Sequence, residues 1–144
     1  MLTHEKHKDR QQKLSIKERL ILLRKKMREC KINAFLVPHN DMYFNEITAP
    51  YNNRLEWITG FTGSAGFAII FERSAVIFTD GRYSIQIQKE VNHTYFKIED
   101  IVKNSPFSWL KENIKKNMTL GFDPWLHSIK EIETQEPALK KFIK

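Results

Sequence analysis

The sequence predicts an α/β domain built on a mixed sheet with helices on both faces. Short apolar runs at 34–38, 67–71 and 75–80 alternate with amphipathic helical stripes, which is the pattern of a layered α/β domain. The link Glu72-Arg73-Ser74 is too short for anything but a hairpin between two of those runs. At 144 residues the chain holds one domain with a real core and is too short to expect two.

Residues 1–14 are polar and lack periodicity, so they read as a mobile tail. His4 and His7 lie there without a packed shell to orient them as metal ligands. Ser15-Ile16-Lys17-Glu18 is a capping box that opens a helix running to about Lys31. Its apolar stripe is Ile16, Leu20, Leu23, Met27 and Cys30, which makes Cys30 an inert core thiol. Lys17, Arg24, Lys25 and Arg28 form the opposite, solvated face.

"AFLVP" (34–38) reads as a buried strand closed by proline, and the polar stretch after it as loop or broken helix. Arg54 to Thr59 reads as a short helix, followed by the strands "FAIIF" (67–71) and "AVIFTD" (75–80). Over "GRYSIQIQKEV" periodicity leaves the choice open, because Tyr83, Ile85 and Ile87 alternate as in a strand while Tyr83, Ile87 and Val91 fit a helix. "TYFKIED" (94–100) reads as strand. Ser105-Pro106 caps a helix with the stripe Phe107, Leu110 and Ile114. "TLGFD" (119–123) is a further strand. Ser128 to Glu131 is a second capping box, opening a last helix that Pro137 should break or kink.

Composition bounds the function. A hydrophobic share of 41% with 28% charged residues is ordinary for a globular protein. Cys30 is the only cysteine, which excludes an intrachain disulfide and a cysteine-built zinc site. The sequence has no signal-peptide core and no run of membrane-spanning length, so a cytoplasmic protein without membrane contact is expected. The net charge of +7 raises nucleic acid as a partner, but the basic residues are interleaved with Glu and Asp and no recognition motif accompanies them. No specific nucleic acid is expected.

"GFTGSAGF" (60–67) holds three of the five glycines, Gly60, Gly63 and Gly66. A phosphate-binding loop needs a lysine and an exit into a helix; here no lysine follows and the exit is a strand. A nucleophile elbow needs glycine two residues before its serine, where Thr62 stands. The remaining reading is structural: a turn in which side chains would clash.

"NRLEWITGFTGSAGFAIIF", "AVIFTDGRYSIQIQKEV" and "LGFDPWLH", in that order, resemble the N-terminal domain of Xaa-Pro aminopeptidases of the creatinase/prolidase family, peptidase family M24. The similarity runs from about Ile16 to the end of the chain. It implies a ribonuclease H-like, three-layer α/β/α domain with a sheet of about five or six strands, and a helix after "TDGR". Relatives commonly carry glycine where Lys31 stands, so Lys31 or a shifted cap must end the first helix.

The resemblance also implies function. The family removes the residue preceding proline from peptides, using a water activated by two divalent metals, usually manganese. The ligands belong to a C-terminal catalytic domain absent from this chain, so the fragment is expected to be inactive, with neither catalytic residues nor cofactor of its own. The expected partners are that catalytic domain, a second copy of the protein and a peptide substrate. Arg54, Trp57, Phe61, Asp80 and Arg82 are the candidates for an active-site wall or interface. Arg82 could grip a peptide carboxylate, unless it forms an internal salt bridge with Asp80. Trp57 or Phe61 could pack on a proline ring. A different class of function is a protein-binding module, as in a pseudo-peptidase of this fold within a histone-chaperone complex, but a histone-binding surface should be acidic.

Overall fold

The computed structural model describes residues 14–39 and 53–123. The tail, the loop expected after residue 39, and the last capped helix with its Pro137 kink lie outside the described residues.

Helix α1 spans Ile16–Glu29 and opens with the expected capping box, the Ser15 N–H reaching Glu18 Oε2 at 2.7 Å and the Glu18 N–H reaching Ser15 Oγ at 3.2 Å. Its end is made at Lys31 itself, one of the two closes expected there. Lys31 sits at φ 57, the left-handed conformation that glycine adopts most easily. The Lys31 N–H reaches Arg28 O at 3.1 Å and the Ile32 N–H reaches Met27 O at 2.8 Å, the paired bonds of a Schellman close. This close overturns the reading of Cys30 as a core thiol. The chain turns inward at Lys31, so Ile32 packs beside Met27 while Cys30 stays exposed. Arg24 also leaves the solvated face expected for it. Its Nε donates to Phe71 O at 2.8 Å and its Nη2 to Ser74 O at 3.1 Å, bracing the hairpin turn.

The strands are β1 (Ala34–Pro38), β2 (Phe67–Phe71), β3 (Ala75–Thr79), β4 (Lys97–Asp100) and β5 (Leu120–Phe122). They form one mixed sheet in the order β4-β3-β2-β1-β5. The central pairs are antiparallel, with Leu36 opposite Ile69 and Ala68 opposite Ile77. The outer pairs, β3 with β4 and β1 with β5, are parallel. β4 starts later than the sequence suggested. Asn92 holds Thr94, Tyr95 and Phe96 in a turn through bonds of 2.8, 3.1 and 3.1 Å, so the ladder begins only at Lys97.

Both faces of the sheet are apolar, which is why the runs read as continuous rather than alternating. Val37, Ala68, Ile70, Ala75 and Ile77 face one layer, made by α1, α2 (Arg54–Thr59) and α3 (Ser84–Glu90). Leu36, Phe67, Ile69, Val76 and Phe78 face the other, where α4 (Pro106–Asn113) inserts Leu110. Each fully buried Leu, Ile or Phe contributes about 1.5–3 kcal/mol, so these two clusters dominate stability. The open choice over 81–91 resolves as a 3-10 turn, Gly81–Tyr83, running into α3. Its Ile87 is buried at 1% exposure while Ile85 is exposed, the helical answer to the periodicity.

The Lys31 geometry yields a prediction. Lys31→Gly should stabilise the protein by about 0.5 kcal/mol, relief of left-handed strain outweighing the added chain entropy. Urea denaturation reads this directly, and a lower midpoint would mean that the strain is negligible.

Candidate functional site

The glycine loop starts where α2 ends. Asn53 caps the helix by accepting the Glu56 N–H at 3.2 Å, and Gly60 ends it at φ +81. Thr59, itself buried, donates its hydroxyl to Leu55 O at 2.6 Å and accepts the Phe61 N–H at 3.1 Å. The chain thereby reverses and drives the Phe61 ring into the core, where it meets Tyr83 edge-on with centroids 5.7 Å apart. Only then does the spacing of the other glycines make sense. A Cβ on Gly63 would lie 2.2 Å from Phe61 Cζ, and one on Gly66 would lie 2.8 Å from Leu55 Cδ2. Gly60 is required by backbone conformation, Gly63 and Gly66 by close approach.

The outside of the loop is laced to α3. Glu90 accepts the Thr62 N–H at 2.8 Å and the Thr62 hydroxyl at 2.6 Å, while the Gln86 amide donates to Thr62 Oγ1 at 2.9 Å and to Glu90 Oε1 at 3.1 Å. Partial burial pushes the Glu90 carboxyl up, but the bonds from Thr62 and Gln86 outweigh it and leave the group below its ordinary value of 4.5. Ser64 Oγ and the Tyr83 hydroxyl share a short hydrogen bond. Thr79 Oγ1 donates to Ala65 O at 2.7 Å and the His39 N–H to Gly66 O at 3.0 Å, tying the loop to the sheet.

Beneath it, Asp80 and Arg82 form the internal pair that was the alternative to carboxylate binding. Arg82 Nε lies 3.1 and 3.2 Å from the two Asp80 oxygens and Nη2 lies 2.9 Å from Oδ2. Asp80 Oδ1 also accepts the Arg82 N–H at 3.0 Å, capping the 3-10 turn. The Arg82 guanidinium holds the Asp80 carboxyl below its ordinary value and itself stacks 5.3 Å from the centre of the Tyr83 ring. Arg82 stays largely exposed at the surface.

The other candidates go elsewhere. Arg54 is ion-paired with Asp123, joining the start of α2 to the end of β5. Trp57 is half-buried, with the Arg19 guanidinium 5.4 Å from its ring centre and Arg19 Nη1 donating to Trp57 O at 2.8 Å. Phe61 must be withdrawn as a surface for a proline ring: at 1% exposure it is part of the core. Sequence reading missed Glu90, Gln86 and Tyr83. The four-residue spacing of Gln86 and Glu90 marks one helix face, yet nothing local says that this face meets Thr62.

Chemically, this arrangement holds a loop still rather than activating a nucleophile. Ser64 is bonded to a phenol, and among the described residues no imidazole or amine is hydrogen-bonded to it as a base. Among the described residues no group of three or more His, Cys, Asp or Glu side chains could hold a metal ion. Asp80, Glu90 and Asp123 are each engaged by protein donors. These residues do not fit a metal centre. Nor is any helix among them long and apolar enough to cross a membrane.

A mixed five-stranded sheet covered on both faces, carrying a glycine loop locked by an aromatic ring, defines a layered α/β domain. The chain belongs to the creatinase/prolidase N-terminal domain family, whose model matches residues 19–144. It is 33% identical to Xaa-Pro aminopeptidase 2 of Homo sapiens over 121 residues, which cover 84% of this chain and 18% of that protein. The Rattus norvegicus Xaa-Pro aminopeptidase 2 is 30% identical over 122 residues, covering 85% and 18%. The chain thus spans about a fifth of the length of these curated relatives. Among solved structures, an X-prolyl aminopeptidase from Caenorhabditis elegans, described as a cytosolic enzyme with a di-nuclear active site, superposes with a TM-score of 0.83 at 24% identity, over 91% of this chain and 24% of that one. The N-terminal domain of cytoplasmic peptidase PepQ from Mycobacterium tuberculosis superposes with a TM-score of 0.63 at 23% identity, covering 85% of both chains. Both likenesses establish the fold.

Two predictions follow from the loop. Gly63→Ala should cost about 2 kcal/mol or more, because the ring it would strike is enclosed, while Gly81→Ala, facing open space, should be near neutral. Equal melting temperatures for the two variants would show that the ring yields freely. The second concerns pH. Glu90 has a lowered folded-state pKa, so its contribution is present above the unfolded value and is lost as pH falls through the folded one. Denaturation of the native protein and Glu90→Gln from about pH 7 to about pH 3 should therefore show a stability gap that closes at the acid end. A gap that widens with acid would reverse the assignment.

Proposed function

We propose that this chain is the non-catalytic N-terminal domain of a metal-dependent Xaa-Pro aminopeptidase, which removes the first residue of a peptide when proline follows. The observation that carries the reading is the family match over residues 19–144, combined with relatives of that activity of which the chain spans 18%. In this reading the two divalent metal ions, manganese by expectation, belong to a catalytic domain outside these residues. The di-nuclear site of the nematode enzyme supports the number of ions. The protein works in the cytoplasm, as that relative does.

The domain's own part is to wall the active site and to support assembly of copies. Asp80 and Arg82, on an exposed turn with a fixed guanidinium, are the best-placed wall residues, and the half-buried Trp57 and the exposed Arg54 complete the set. The rigidity of the glycine loop suits that task, since a wall must keep its shape against a peptide.

The purified chain should release no amino acid from Xaa-Pro peptides, with or without added manganese. The protein containing the catalytic domain should be active with manganese and lose activity to a chelator. Turnover that stays with the isolated chain through successive purification steps would overturn the reading.

A further inference from the structure

The two sides of the seam between α3 and β4 carry opposite charge. On one side a cavity of about 230 Å³ is bordered by Asp80, Glu99 and Asp100, with no basic residue among the described ones lining it. On the other an open groove of about 510 Å³ runs between the β2–β3 link and residues 93–98. Arg73, His93 and Lys97 line it, and no acidic residue among the described ones does. The lining of the groove thus carries positive charge and no carboxylate, Glu99 meeting Lys97 from outside it.

The walls are stiff. Arg24 braces the hairpin side through Phe71 O and Ser74 O, setting a further positive charge behind the groove. Asn92 pins the opposite side by accepting from the Thr94, Tyr95 and Phe96 N–H groups. Donors stand ready on both: the Arg73 guanidinium, the Ser74 and Thr94 hydroxyls and the Gln88 amide have no hydrogen-bond partner among the described residues. Lys97 is ion-paired with Glu99 at 2.7 Å, so Arg73 is the principal free cation.

We propose that this groove binds a compact polyanion bearing two or more phosphate or carboxylate groups, with Arg73 as the bidentate partner. The volume exceeds what a single phosphate fills and falls within the range of about 300–1,000 Å³ that small ligands occupy. The inference is independent of the peptidase reading, because no residue of the proposed active-site wall lines the groove.

The test titrates the chain with pyrophosphate and, separately, with citrate at about 0.1 M sodium chloride, where exposed charges are screened beyond ~10 Å. Amide-resolved NMR and calorimetry read the binding. Shifts should cluster at Arg73–Ala75 and His93–Ile98, and Arg73→Gln with Lys97→Gln should weaken binding about tenfold or more, or ~1.4 kcal/mol. Lys17→Gln, on the outer face of α1, should change nothing. Response to pyrophosphate alone assigns a phosphate ligand, to citrate alone a carboxylate ligand, and to both the shared chemistry. Absence of saturable binding below about 10 mM for either anion, a level weaker than ~3 kcal/mol of affinity, would overturn the proposal. So would shifts spread evenly over all basic surfaces, or affinity unchanged in the double variant.

Discussion

The enclosed ring of Phe61 joins three segments that are far apart in the chain. It packs in one cluster with Leu55 of α2, which crowds Gly66, leaves no room for a side chain at Gly63, and meets Tyr83 edge-on ahead of α3. The entry of β2 into the sheet follows from this contact, because Gly66 immediately precedes Phe67 and its carbonyl accepts the His39 N–H just past β1. Without the ring, Gly63 would have no close neighbour to make room for, whereas Gly60 would still be held by its left-handed backbone and Gly66 by Leu55.

Around that apolar pin lies a polar shell that fixes the loop without making it reactive. Glu90 takes two bonds from Thr62 and one from Gln86, and Thr79 reaches Ala65 from the sheet. Hydrogen bonds to a charged acceptor contribute about 1.5–3 kcal/mol when well shielded and less at a surface such as this one. Their effect is thus chiefly orientational. A loop held from inside by packing and from outside by a carboxylate keeps its shape when something binds against it.

Charge is distributed with the same economy of position. Asp80 is spent on Arg82 and a cap, Asp123 on Arg54, Glu18 on the start of α1. The surplus positive charge that made nucleic acid a question in the sequence resolves into individual duties: Arg24 braces a turn, Arg19 covers Trp57, and Arg73 opens into a groove. The curated relatives are much longer chains, of which this one spans about a fifth.

The alternation of apolar runs and capped helices was enough to place every described strand and helix except α3 near its position, because those signals are local: a hydroxyl at an N-cap, a proline at the first helical turn, an apolar run too short for a helix. Family resemblance only tipped 81–91 toward helix, where period two and period 3.6 coincide over too few residues. Local signals failed where a residue's environment is set by distant chain. Cys30 lies on the helical stripe, yet a left-handed Lys31 turns the chain before that stripe can be buried. Phe61 and Trp57 both read as aromatics able to pack on a proline ring, but only distant chain decides that one is enclosed and the other half-covered by Arg19. The glycines announced a constraint without naming it. The sequence by itself determined the layered fold and the need for a bare backbone at 60–66, since both depend on residue type and spacing. Only the tertiary structure decided that the obstacles are the Phe61 ring at Gly63 and Leu55 at Gly66, and that Glu90 closes the loop from outside, because those contacts are set by packing that no periodicity encodes.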